Sequence, residues 1–204
     1  IYDDEAVQFF AKQEIIRRYL KGWVDFKNGL ADEKTIHRLE FLMSKLSLKV
    51  EDRAVVVAAR EKEEKTGKGA MAIELPDGRM IRGKGSDNMC AAASCVFNAV
   101  KVLADIPKSE KLISPEVIAP INKLKKNTLK DKDKALNLEE ALLALAICAS
   151  SDETAKKALE QLKNLNGCQA HSTFILKEVD EEALRKLEIN VTSDAKFLSN
   201  DLIQ

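Results

Sequence analysis

Ala70-Met-Ala-Ile-Glu-Leu-Pro-Asp-Gly-Arg-Met-Ile-Arg-Gly-Lys-Gly-Ser-Asp-Asn88 leads into a helix of small side chains that runs to about Ala104. Met71, Ile73 and Leu75 alternate with polar or small neighbours, Met80 resumes the pattern, and Pro76-Asp77-Gly78 supplies turn chemistry between them. Two short strands joined by a tight connection follow from that pattern. Gly83 and Gly85 permit unusual backbone angles, and Ser86 or Asp87 can cap the next helix. Free N–H groups at such a start favour an anion or an acyl oxygen, so Lys84, Gly85, Ser86, Asp87 and Asn88 form a candidate ligand-binding rim. A glycine-rich turn that merely reverses the chain is the plainer alternative. Gly-Lys-Gly-Ser is neither a Walker loop nor a dinucleotide fingerprint, because the longer glycine-rich arm is missing.

The chain has 204 residues, 45% of them apolar, which is enough for one domain with an appendage. Its 33 basic and 33 acidic side chains cancel. Without a net positive field, general nucleic-acid binding is not expected, and no apolar run approaches a membrane span. The start Ile1-Tyr-Asp-Asp-Glu lacks both a signal-peptide layout and an initiator methionine, and is read as the edge of a fragment of a longer protein. Cys90, Cys95, Cys148 and Cys168 show no paired spacing and sit among apolar neighbours. They are read as small buried hydrophobes in a reducing cytoplasm.

From Asp3 or Asp4 a helix runs past Trp23, with Phe9, Gln13, Ile16, Leu20 and Trp23 on one face. Asp32 caps a second helix whose stripe is Ile36, Leu39, Leu42, Met43 and Leu46, so residues 1–50 are expected to form a helical hairpin appendage. An α/β domain is expected over 51–198, with a helical insertion at about 135–166 and a frayed tail at 199–204. Glu51 to Thr66 is read as a helix stopped by Gly67, against the strand-like Ala54-Val-Val-Val-Ala-Ala59. Asp87 to Ala104 is the next helix. A short strand over Lys111 to Ile113 precedes the helix start Ser114-Pro115-Glu116. Lys123 to Lys134 reads as a solvated loop. Asn137 and Glu140 form a capping box for Leu138 to Ala149, apolar nearly all round and so buried or in an interface. A helix after Asp152 presents Ala155, Ala158, Leu159 and Leu162. Cys168 to Leu176 has strand composition, Asp180 caps a short helix, and Glu188 to Thr192 is the last strand. The fold class is thus α+β or α/β, a small mixed sheet flanked by helices.

The order of elements is deaminase-like, with helix starts near 87 and 115 facing one site. A zinc deaminase places a ligand and a glutamate at the first start and a cysteine pair at the second. Here Met89-Cys90-Ala91-Ala92 and Ser114-Pro115-Glu116-Val117-Ile118-Ala119 supply neither set, so no metal site is expected. His171, close to Cys168, Ser172 and Thr173, is the candidate catalytic residue, as a general base or a phosphate ligand. A buried histidine bonded to backbone is the competing reading. Strand alternation puts Gln169, His171 and Thr173 on one face and Cys168, Ala170 and Ser172 on the other, which disfavours a Cys168–His171 dyad. Ser114, Glu116 and Thr173 complete the candidate ligand-binding set. Glu116 is equally explained as an acidic residue stabilising a helix start. His37 is read as solvated.

Asp3-Asp-Glu-Ala-Val7, Gln13-Glu-Ile-Ile-Arg-Arg-Tyr19, Glu51 to Ala59, Ile73 to Arg79, Leu112 to Ile118 and Gly167-Cys-Gln-Ala-His-Ser-Thr173 together resemble the C-terminal part of a bacterial family, domain-of-unknown-function family eighteen forty-six. The resemblance implies a larger cytoplasmic protein whose preceding portion carries a glycine-rich phosphate loop. A nucleotide would then belong to that portion, with no cofactor in this chain. Some members are described as ATP-dependent peptidases, but this chain has no His-Glu-x-x-His and no nucleophile triad. Two functions follow from these readings. The first is a binding and assembly module that contacts the missing portion and forms a homo-oligomer. The second is a metal-free enzyme acting on a phosphorylated or nucleotide-like substrate, with its site at 84–88 and His171.

Overall fold

The computed structural model describes residues 4–131 and 133–198, so the tail expected to fray at 199–204 lies outside the described residues. Over the described residues the fold is α+β, with eight α-helices around one four-stranded mixed sheet. β1 (Ala70–Glu74) and β2 (Met80–Lys84) pair antiparallel, with Met71 opposite Gly83 and Ile73 opposite Ile81. Gly78, at φ 82°, takes the left-handed position of the turn between them. β3 (Gln169–Ser172) runs antiparallel to β1, and β4 (Asn190–Ser193) runs parallel to β3, giving the order β2-β1-β3-β4.

Alternation along the strands sends side chains to two different layers. Met71, Ile73 and Ala170 face the main core, which is closed by α4 (Ala91–Leu103), α6 (Leu138–Ala149), α7 (Glu153–Glu160) and α8 (Glu178–Lys186). Ala72 faces the other way and packs on Ala58 and Ala59 of α3 (Ala54–Thr66). The valines of α3 are helical despite their strand preference: Val55 and Val56 are buried, Val56 against Ile16, Leu20 and Met43. Gly67, at φ 63°, ends the helix as its spacing predicts.

Before α3 lie α1 (Asp4–Lys27) and α2 (Glu33–Lys45). Ile16, Leu20, Met43 and Val56 form a small separate cluster, and a Cβ at Gly22 would meet Leu39 Cδ1 at 2.4 Å. Phe9, Leu42 and Leu46, expected on inner stripes, are exposed instead.

Other departures have local causes. Lys111 to Ile113 is not a strand, although Leu112 and Ile113 are buried as single apolar plugs. The segment from Lys123 is not simply solvated, because α5 (Pro115–Asn127) runs through its first half and buries Lys125. The Lys125 ammonium meets Glu140 Oε2 at 2.7 Å and the Ala135 carbonyl at 2.9 Å, a pairing that lets a charged group leave water. α6 turns only one face inward, since Leu143 and Ile147 are exposed. β3 stops at Ser172, whose hydroxyl donates to the Phe174 carbonyl and turns the chain away.

Candidate functional site

The helix expected from Asp87 starts four residues later. α4 is capped by Cys90, whose Sγ accepts from the Ala93 N–H at 3.3 Å. Ser86 instead closes a separate turn, accepting from Met89 N at 3.1 Å and donating to the Met89 carbonyl. Cys90 N donates to Leu136 O and Leu136 N donates to Asn88 O, both at 2.9 Å, which fastens the loop to the strand-like lead of α6. The start of α6 is thus bonded to the lead into α4, while the start of α5 shares a cleft with it, lined by Ser86, Asn88 and Met89 on one side and Pro115 and Ile118 on the other.

Asp180 occupies the space between the starts of α4 and α6. It is the third residue of α8 and not its cap, and its Oδ1 accepts from Leu138 N at 2.7 Å and from the Cys90 thiol at 3.5 Å. The positive ends of two helices thus meet a carboxylate of the chain itself, where an external anion was expected. Burial, followed by that carboxylate, pushes the Cys90 thiol up to about 12, so it stays protonated and poorly nucleophilic. Burial likewise raises the Asp180 carboxyl.

His171 lies on the other face of the sheet, opposite Ala72 and beneath α3. Its side chain is completely buried in a polar network that spacing alone does not reveal. Arg53, 1% exposed, donates from Nε to Thr192 Oγ1 at 3.3 Å, from Nη1 to Gln169 Oε1 at 2.9 Å and from Nη2 to the Asn190 carbonyl at 3.1 Å. Thr192 Oγ1 is also 2.9 Å from His171 Nδ1. The Thr192 hydroxyl also donates to the Ala170 carbonyl at 3.2 Å, so one oxygen ties Arg53, His171 and β3 together. His171 Nε2 lies 3.3 Å from Asp194 Oδ1 in an oblique contact that falls short of an aligned hydrogen bond. Arg60 grips the same carboxylate with Nη2 at 2.7 Å and Nε at 3.0 Å. Burial opposes the Asp194 charge, but the contacts from His171 and Arg60 outweigh it and hold the carboxyl well below its usual range.

Burial depresses the His171 pKa more than Asp194 raises it, so the ring is neutral at pH 7. A depressed folded-state pKa means that stability is complete above the unfolded value near 6.5 and is lost as pH falls below it. The melting temperature is expected to fall from pH 7 to 5, and His171→Asn to show a shallower fall despite a lower value at pH 7. Asp180, raised by burial, acts in the opposite sense, so the difference between parent and variant is the quantity to measure. Parallel pH curves for the two would contradict a buried neutral imidazole.

Two clefts flank the loop at residues 85–90. The first, about 690 Å³, is lined by Lys84, Ser86 and Asn88 of the expected rim, with Lys62, Arg82, Lys108 and Lys111 from elsewhere. The second, about 1000 Å³, takes Gly85, Ser86 and Asp87, together with Cys90, Asp180, Lys177 and Phe174. His171 and Thr173 line neither, and Thr173 is occupied in accepting from Ala70 N and donating to Glu63 Oε1, each at 3.0 Å. Ser114 stands at the cap position of α5 without a side-chain cap bond, and exposed Glu116 follows in the first turn. Neither of them lines either cleft, although Ile113 and Pro115 on both sides of Ser114 line the first and Phe174 beside Thr173 lines the second; His171 stays beneath α3, away from both. Among the described residues no group of three His, Cys, Asp or Glu side chains is placed to hold a metal ion, and no helix is long and apolar enough to cross a membrane.

The arrangement around 84–88 can be set beside known sequences. A family model described as "Domain of unknown function DUF1846, C-terminal" matches residues 51–203, and its N-terminal counterpart matches residues 1–47. The chain belongs to the DUF1846 family. A UPF0371 protein of Streptococcus thermophilus is 48% identical over 197 residues, covering 97% of this chain and 40% of that protein. A UPF0371 protein of Clostridium tetani is 45% identical over 99% of this chain and 42% of its own length. One from Corynebacterium glutamicum is 46% identical over 97% and 40%. The chain thus spans about 40% of the length of these DUF1846 relatives.

Proposed function

We propose that this chain is a binding and assembly module of the DUF1846 proteins, in which α1 and α2 form the surface that receives the preceding part of a family member. The observation that carries this reading is the set of large apolar side chains that α1, α2 and the turn between them leave exposed among the described residues. Phe9, Phe10 and Phe41 are 57%, 69% and 71% exposed, and Leu30 is 78% exposed. Phe9 and Phe10 stack edge to face with ring centroids 5.9 Å apart. Large apolar patches on a water-facing surface mark interaction sites. These residues all fall within 1–47, the stretch matched by the N-terminal family model, which supports an origin for the pair of helices in that part of the family protein. A smaller patch at Leu143 and Ile147, one turn apart on α6, suits contact between copies of the chain.

Catalysis by His171 on a phosphorylated substrate is the weaker reading, because the ring is fully buried and lines neither cleft.

The assembly reading is tested by Phe9→Ser/Phe10→Ser in two settings. In the chain alone the melting temperature is expected to move by less than about 1 °C, since both rings are already in water. In a chimera carrying the preceding part of the Streptococcus thermophilus protein, two rings would leave a buried interface. A fall of about 4 °C or more is then expected. Equal small shifts in both settings would show that nothing covers this face.

A further inference from the structure

The cleft of about 690 Å³ has a charge imbalance that the whole chain lacks. Its walls carry Lys62, Arg82, Lys84, Lys101, Lys108 and Lys111, and Glu110 is the one carboxylate among them. Two of these cations are engaged in holding the walls. Arg82 donates to the Ala58 carbonyl at 3.1 Å and pairs with Glu61 at 3.2 Å. Lys101 donates to the Lys108 and Glu110 carbonyls, which clamps the loop after α4 against that helix.

Lys62, Lys84, Lys108 and Lys111 make no ion pair with any described residue, although they reach the cleft from α3, from the end of β2 and from the loop before α5. They are close enough to feel one another. The Lys62 ammonium is held below its ordinary value by burial first and then by Lys108, Lys84 and Arg82. Like charges gathered in a concave site, with no carboxylates to compensate them, raise the local concentration of anions. The floor, by contrast, is apolar, with Gly83, Phe97, Leu112 and Ile113 beneath the charged rim. Asn122 Oδ1 is buried in the wall without a hydrogen-bond partner. It is an acceptor with room for a donor.

We infer that this cleft binds a small molecule carrying a chain of two or three phosphate groups and at least one hydroxyl or amino donor, held by Lys62, Lys84, Lys108 and Lys111 with Asn122 accepting from the donor. Four ammoniums against one carboxylate match a di- or triphosphate better than a single carboxylate or phosphate. The volume suits a ligand of metabolite size. A nucleic acid would need a positive surface continuing beyond the cleft, and the chain as a whole is electrically balanced.

The test uses inorganic triphosphate and inorganic phosphate as probes on the whole chain, followed by calorimetric titration and thermal melting at low and at physiological salt. Triphosphate is expected to raise the melting temperature and to bind about tenfold or more tightly than phosphate, with the difference shrinking as salt screens the lysines. Lys84→Ala/Lys108→Ala is expected to weaken triphosphate about tenfold, while Lys84→Arg/Lys108→Arg stays within about threefold. Lys84 and Lys108 are exposed and bear no packing, so the folded state survives both pairs. Lys130→Ala/Lys196→Ala, in the neighbouring cleft, is the control and is expected to leave affinity unchanged. The inference is overturned by any of three results: no saturable triphosphate binding, equal loss in the control pair, or a single-stranded oligonucleotide that outcompetes triphosphate.

Discussion

Gly83→Ala is expected to cost about 4 kcal/mol or more, enough to leave little folded protein, and to show as a collapse of the urea midpoint. A Cβ at this position would lie 2.3 Å from Cys95 N, 2.5 Å from its Cα and 2.7 Å from its Cβ. Two of those three atoms are backbone, so no rotamer change relieves the clash. β2 and α4 would have to separate, opening the layer formed by Ala92, Cys95 and Val96. Gly85→Ala is the matched control two residues on. Its added Cβ would meet only the Gly69 carbonyl, at 3.9 Å, and the expected change is below about 1 kcal/mol. A small effect at Gly83 would mean that α4 does not seat on β2 here. Neither glycine has a positive φ, so the sequence expectation of unusual backbone angles is corrected to one of close approach at Gly83.

Arg53→Ala is expected to cost about 3–5 kcal/mol in chemical denaturation. The guanidinium is buried without a carboxylate in hydrogen-bond contact, and burial, with Arg17 adding to it, lowers its pKa to about 10. It stays charged because Gln169, Thr192 and the carbonyls of Ala170 and Asn190 surround its fork. Truncation leaves a cavity and unsatisfied acceptors at the junction of β3 with β4. Arg53→Lys is expected to recover little, since a point ammonium cannot reach acceptors on three sides at once. A loss below about 1 kcal/mol for Arg53→Ala would show that water or neighbouring groups replace the fork.

The contrast between these two residues shows what a single sequence discloses. Helix starts governed by neighbours three residues away were legible. Asp32 accepts from Thr35 N at 2.9 Å, and Asn137 and Glu140 close the expected box at 2.8 and 3.0 Å. The β1–β2 turn was legible for the same reason, as was the division of β3, which puts His171 opposite Ala72. What escaped depends on partners far along the chain. Arg53 fell inside the helix read from Glu51 and carried no mark of its own, because its acceptors lie more than a hundred residues later. Lys125 read as solvated because Glu140 and Ala135 reach it only once α5 and α6 pack. The rim at Lys84, Ser86 and Asn88 was legible as a loop. Its companions Lys62, Lys108 and Lys111 were not, because three separate segments bring them together.

The polar side chains around residues 51–53 also have a mechanical meaning. The two family matches meet here, between residues 47 and 51, where a free linker would let each part swing independently. Instead, Gln13 of α1 donates to the Asp52 carbonyl at 2.9 Å, Arg53 enters the β3–β4 junction, and Glu51 meets Arg60 at 2.7 Å while Arg60 holds Asp194 just past β4. Three polar anchors therefore tie α1 and the segment where the two family matches meet to the far edge of the sheet. The junction is a brace and not a tether.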